Sequence, residues 1–362
     1  MYNKIYLKHI YSVYLSRFFY ITIIFSSLIF VMNILEEIKF FSNNDNVGIG
    51  YPILLTLLNL PSILFEIFPF IILITTLFFF IKFQESSEIL IFKNNGINNF
   101  KIISFISLLV FLIGIIIIFL FHLISTNMKH NYLEFKNKYT QDQKYLAVIN
   151  ENGLWIKDNL GGKSMIIHSE KIEKNVLKNI IVTIFDDNFR SDKSIIAKEA
   201  TITNKSWKLK DTIISNSDGK KDFIDGTYIL ETNFDYIKIN SIFSNLESLN
   251  IFELFKQRSD FKSVGLNISE INLYINKIFS IPISLVIFSM LSCILMFNVN
   301  FKKSKVFMII IGILCSVIIY YIYYFFGLLG NNNKIPITLA VWLPNLILIL
   351  ICTIGILNLN EK

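Results

Sequence analysis

Ile102-Ile-Ser-Phe-Ile-Ser-Leu-Leu-Val-Phe-Leu-Ile-Gly-Ile-Ile-Ile-Ile-Phe-Leu-Phe121 carries no charge over its whole length. At about 1.5 Å per helical residue, roughly 20 such residues cross about 30 Å of hydrocarbon, so this stretch reads as a membrane span. The apolar run covers 102–126, and five more of the same character lie at 17–35, 53–81, 275–298, 306–329 and 336–358. The chain as a whole agrees: 362 residues, 53% hydrophobic and only 17% charged, where a soluble domain has about a quarter charged. Lys4, Lys8 and Arg17 precede the first run as in a signal peptide. Its apolar core is too long for one, and Leu35-Glu-Glu37 offers no small-residue cleavage site, so a retained helix is expected. The run 53–81 is overlong and holds Pro61, Glu66 and Pro69, which suggests an interfacial helix over 52–64 ahead of the true span.

Between the third and fourth runs, residues 127–270 are nearly balanced in charge and their apolar residues come in short β-branched bursts. Leu146–Ile149, Gly153–Lys157, Met165–Ile167, Ile180–Ile184 and Ala200–Thr203 alternate with turn residues Asn152-Gly153, Gly161-Gly162, Asp186-Asp-Asn188 and Ser217-Asp-Gly219. This pattern predicts a compact all-β domain, a sandwich or jelly roll. Helical periodicity returns over about 248–270 with Ile251, Leu254, Phe255 and Phe261. The expected architecture is six transmembrane α-helices, three plus three, around an all-β insert. Its parts are 1–126, 127–270 and 271–362.

Short-loop charge sets the orientation. The N-terminal tail (Lys4, Lys8, Arg17), the loop after span 2 (Lys82, Lys93, Lys101) and the loop after span 4 (Lys302, Lys303, Lys305) are basic. Across the membrane, Lys39 stands against Glu36, Glu37 and Asp45, and the loop after span 5 has only Lys334. Both termini are therefore expected in the cytoplasm and the β domain outside.

Several chemistries are missing. Cys293, Cys315 and Cys352 are odd in number and lie in apolar runs, so no disulfide scaffold is expected. His9, His122, His130 and His168 lack metal-ligand spacing, and there is no HExxH, GxSxG or phosphate-binding glycine loop. No enzymatic activity, metal or nucleic acid partner is expected of this polypeptide.

Two features remain. In Gln84-Glu-Ser-Ser-Glu-Ile-Leu-Ile-Phe-Lys-Asn-Asn-Gly96, Ser86 or Ser87 can cap a short helix with Glu88 in its first turn and Gly96 as its stop. With Ile89 and Phe92 on one face, such a helix suits docking to a partner's groove, or else it is a solvated loop. At the other side, Lys39 can meet a phosphate at headgroup level or serve as a snorkelling anchor. Glu66 is either an intramembrane functional acid or an interfacial residue.

Three spans, an external β domain, three more spans and a cytoplasmic Ser-Glu helix resemble the LptF/LptG permease family of the lipopolysaccharide exporter over essentially the whole chain. Ser87–Gly96 looks like that family's coupling helix, Gly153-Leu-Trp-Ile-Lys-Asp158 like the start of its jelly roll, and Ala197-Lys-Glu-Ala200 with Trp207-Lys-Leu-Lys-Asp211 like a later strand pair. Leu343-Pro-Asn345 also fits. Gly153–Asp158 and Leu35-Glu-Glu-Ile-Lys39 look more like LptG than LptF.

The resemblance implies a multi-pass permease of a bacterial inner membrane, its β domain periplasmic. It would pair with the paralogous permease, a dimer of the ATPase LptB, and the bridge protein LptC. ATP and magnesium would belong to LptB, and this chain would need no cofactor. Glu88 would meet a basic residue of LptB, Ile89 and Phe92 would fill its groove, and Ser87 and Gly96 would bound the helix. Lys39 would contact lipopolysaccharide phosphate, departing from the family by standing alone beside two acids. Phe25 and Phe307, with Phe18, Phe19, Phe325 and Phe326, would hold acyl chains or simply pack helices. The alternatives are a non-transporting scaffold presenting the β domain, and a secondary transporter, which the nearly charge-free spans disfavour.

Overall fold

The computed structural model describes residues 2–42, 48–137, 147–150, 153–160, 163–173, 175–186, 191–203, 206–216, 221–235, 245–264, 268–298 and 305–360. Among the residues read above, Asp45, Leu146, Asn152, Gly161, Gly162, Asp187, Asn188, Ser217–Gly219, Lys302 and Lys303 lie outside that set. The chain divides into two compact units, one of 1–133 with 272–362 and one of 134–271.

The first unit is helical. Its elements are α1 (Tyr2–Phe41), α2 (Gly50–Glu85), α3 (Glu88–Asn94), α4 (Asn99–Ile116), α5 (His122–Asn137), α7 (Ser269–Asn298), α8 (Lys305–Asn331) and α9 (Ile337–Asn360). Ile117–Phe121 is a π-helical segment that joins α4 to α5 without a break. Six helices among the described residues are long and apolar enough to cross a membrane, α4 and α5 counting as one.

Two of these helices differ from expectation. α1 begins fifteen residues before the apolar run, because Ile10, Tyr14, Phe18 and Ile21 form one buried stripe at helical spacing. α2 is a single helix through Pro61 and Pro69, so no separate interfacial helix over 52–64 exists. A helix packed on several sides keeps its course through proline because its neighbours hold it in place. Glu66 lies on its exposed side.

Small residues and side-chain hydrogen bonds bring the spans together. A Cβ on Gly114 would stand 2.6 Å from the Cα of Pro282, so α4 and α7 meet backbone to backbone. Ser292 Oγ donates to the Leu73 carbonyl at 2.9 Å, joining α7 to α2. The Leu343-Pro-Asn345 run lies within α9, where buried Asn345 accepts a hydrogen bond from Tyr323 of α8 at 2.8 Å.

The second unit holds seven antiparallel strands in simple sequence order: β1 (Ala147–Asn150), β2 (Gly153–Leu160), β3 (Lys163–Glu173), β4 (Val176–Phe185), β5 (Ser191–Thr203), β6 (Ser206–Asn216) and β7 (Lys221–Glu231). Connections of two to five residues allow hairpins and leave no chain for crossovers, so the all-β insert is a meander in its described connectivity. It nevertheless closes on itself. Buried Asp158 of β2 accepts from Thr232 Oγ1 (2.7 Å), Asn233 N (2.8 Å) and Asn233 Nδ2 (2.9 Å), directly after β7. The sheet is thus rolled, and its first long strand is tied to its last by a carboxylate rather than by strand pairing. Trp207 Nε1 donates to the Phe234 carbonyl at 2.8 Å inside the roll. Gly153 has φ +118, and a Cβ there would overlap the Ser169 carbonyl, so only glycine starts β2 in this way. The helical return is α6 (Ile251–Val264), with Leu254 and Phe261 buried.

Candidate functional site

α2 ends at Glu85, and Ser87 adopts a left-handed conformation, φ 56, which turns the chain into the seven-residue α3. Neither Ser86 nor Ser87 caps α3 through its side chain. Ser86 Oγ instead donates to Glu88 Oε1 at 2.7 Å. Gly96, φ 76, stops the helix: its N–H donates to the Lys93 carbonyl at 3.0 Å, and Ile97 N donates to the Phe92 carbonyl at 3.0 Å. Asn98 Oδ1 then caps α4 through Lys101 N at 3.1 Å.

Ile89 and Phe92 share one face of α3, and that face is turned inward. Both are buried, with the Phe92 ring stacked on Phe83 of α2 at 5.6 Å and met edge-on by Tyr6 of α1 at 5.3 Å. They seat α3 on its own chain, where their burial removes apolar surface from water. The outward apolar residues are Leu90 and Ile91, 57% and 53% exposed. Glu88 is also engaged within the chain: His9 Nε2 donates to its Oε2 at 2.8 Å. Ile5, Tyr6, His9, Glu88, Ile91 and Phe92 line a groove of about 280 Å³ between α1 and α3.

At the opposite end of α1, Glu37 points inward and Lys39 outward. Tyr132 of α5 donates to buried Glu37 Oε1 at 2.8 Å, and Lys129 donates to Asn59 Oδ1 of α2 at 2.9 Å. Glu36 and Lys39 are exposed beside them. No group of three or more His, Cys, Asp or Glu among the described residues is placed to hold a metal ion.

The model of the lipopolysaccharide export system permease LptF/LptG family matches residues 8–358, nearly the whole chain. The chain belongs to that family. The family model covers both paralogues and does not separate LptF from LptG. A comparison with curated proteins returned no match. As a family member the chain is a multi-pass inner-membrane permease component of lipopolysaccharide export.

In this LptF/LptG-family chain the three expected lipid-contacting residues do not form one site. Phe25 packs edge-on against Phe70 of α2 at 5.4 Å and is only partly exposed. Phe307 is exposed, but it lies in the first turn of α8, at the same end of the bundle as α3. That end is identified by Gln84 Nε2, which donates to the Met296 carbonyl near the close of α7, just before α8 begins. Lys39 lies at the far end of α1, some 30 residues and roughly 45 Å of helix from His9. Antiparallel spans put residues with similar chemistry at opposite ends, which composition alone does not reveal. What α1 and α8 do share is exposure: 17% and 22% of their most apolar stretches are buried, against 67% for α2.

His9, Tyr6 and Ile5 are the site residues that sequence reasoning missed. The available signal was the buried stripe Ile10-Tyr14-Phe18-Ile21: extended one turn upstream, it carries α1 past the end of the apolar run and over α3.

Proposed function

We propose that the chain is a transmembrane permease subunit of an ABC transporter that extracts lipopolysaccharide from the inner membrane, driven by a separate LptB ATPase. The observation that carries this reading is the geometry of α3. A short helix sits at one end of the spans, clamped from behind by Ile89 and Phe92, and presents Leu90 and Ile91 outward with Glu88 partly exposed beside them. Such a helix is a contact that can be pushed, and its inward anchors pass the push to α1 and α2 as a rigid-body displacement. On this reading the α3 end is cytoplasmic, as the basic loops indicate, and the rolled sheet is periplasmic, where it hands lipid to LptC. The scantly buried faces of α1 and α8 are the surfaces that would meet lipid and the paralogous permease.

Co-purification in detergent with LptB and the paralogous permease tests this, comparing wild type with Glu88→Ala. Loss of retained LptB, or loss of lipopolysaccharide stimulation of ATP hydrolysis, is expected from the variant. A stable complex with normal stimulated turnover would remove Glu88 from coupling. Absence of any co-purifying ATPase from wild type would leave a scaffold that presents the β unit.

A further inference from the structure

Glu88 is the one acid of α3, and both of its carboxylate oxygens are held by this chain: Oε2 by His9 Nε2 at 2.8 Å and Oε1 by Ser86 Oγ at 2.7 Å. We propose that His9 is a positioning residue of the ATPase-docking site, fixing the Glu88 carboxylate and making the first turns of α1 a wall of that site. The inference rests on the coupling role proposed above and names what prepares it.

A glutamate in the first turn of a half-exposed helix ordinarily samples several rotamers, and a partner must pay to order it. Here that ordering is done in advance. Each oxygen keeps a second lone-pair direction, so the carboxylate can still accept from an incoming cation. The side chain of Glu88 is 24% exposed, enough to be reached and little enough for its interactions to be only partly screened.

The groove beside it matches one kind of occupant. Its walls are Ile5, Tyr6, Ile91 and Phe92, its charge is Glu88, and a volume of about 280 Å³ holds one long side chain. An arginine of the ATPase fits that chemistry, its apolar stem along the ring of Tyr6 and its guanidinium on the carboxylate. His9 also lies over Phe83 of α2, with ring centroids 6.1 Å apart, so the same residue touches all three helices. A push on α3 then reaches α1 directly and not only through the turns at Ser87 and Gly96.

The test uses the full complex of this chain, its paralogous permease and the ATPase, with His9→Ala, His9→Gln, Glu88→Ala and the His9→Ala/Glu88→Ala double variant. Readouts are ATPase retained per permease and the ratio of lipopolysaccharide-stimulated to basal hydrolysis. Expected is a weakening of roughly three- to tenfold in retention for His9→Ala, with recovery in His9→Gln, which restores a neutral N–H donor to Glu88. The double variant should be no worse than Glu88→Ala, since His9 acts through Glu88. Wild-type behaviour of His9→Ala alongside a defective Glu88→Ala would overturn this inference and leave the coupling role standing. Additive losses in the double variant, or a His9→Gln as poor as His9→Ala, would overturn it too. A silent Glu88→Ala would remove the coupling role and this inference together.

Discussion

Tyr132 and Glu37, 95 residues apart, meet at 2.8 Å where the phenol of α5 donates to the carboxylate of α1. One turn earlier on α5, Lys129 reaches Asn59 of α2, and its Nζ stands 5.3 Å over the Tyr132 ring. Three spans are thereby pinned at the end opposite α3 by polar contacts in a site where both Glu37 and Tyr132 are buried. α1 is tied by polar contacts near both ends, at Glu37 and His9, and packs on α2 between them through Tyr14, Phe18 and Phe25.

Tyr132→Phe removes the donor and keeps the ring. A loss of about 1–2 kcal/mol is expected, read as a lower apparent Tm of the detergent-purified chain. Glu37→Gln keeps an acceptor for the phenol and should fall less. Equal loss in both would show that the bond holds the helices only when its acceptor is the charged carboxylate.

Asp158→Ala takes three hydrogen bonds from the closure of the sheet and leaves two donors of Asn233 and one of Thr232 without their acceptor. About 2–4 kcal/mol is expected from the second unit. Limited proteolysis of the full chain should show cleavage within residues 134–271 while the membrane unit stays intact. Resistance equal to wild type would mean the roll closes without this carboxylate.

Gly114→Ala places a methyl group against the backbone of Pro282, which cannot yield as a side-chain tip would. Helix propensity gains a little under 1 kcal/mol from the change, and the overlap costs about 1–3 kcal/mol. A net drop in apparent Tm is expected. Gly327→Ala, with open space around its site, provides the contrast and should gain or hold stability.

The two faces of α3 should separate cleanly. Leu90→Ser with Ile91→Ser alters exposed side chains, so permease stability should hold while ATPase retention falls. Ile89→Ser or Phe92→Ser empties the seat of α3 and costs about 2–4 kcal/mol, lowering apparent Tm before any docking effect is read. If the buried pair alone affected docking at unchanged stability, the helix would have to turn its other face to the partner.

Much of this was legible in the chain. Uncharged runs such as 102–126 must be helical in hydrocarbon, because every backbone group there has to be satisfied within its own segment. The bursts Gly153–Lys157, Met165–Ile167 and Ile180–Ile184 all lie in strands, since β-branched residues between turn residues leave few other options. Ser87 and Gly96 bound a helix as expected, although Ser87 does so through its backbone angle and not as a cap.

What the sequence determined by itself was the local and the periodic: six spans, an antiparallel β insert, and a short helix carrying an acid between spans 2 and 3. Solvent and hydrocarbon act on each segment separately, so those properties are written in each segment. Which face of α3 turns inward, that α2 runs unbroken through Pro61, and that His9 meets Glu88 across 79 residues were decided only by tertiary structure. So was the joining of Asp158 to the residues after β7. Each of these depends on two segments competing for the same surface or donor, and that outcome exists only once both are packed together.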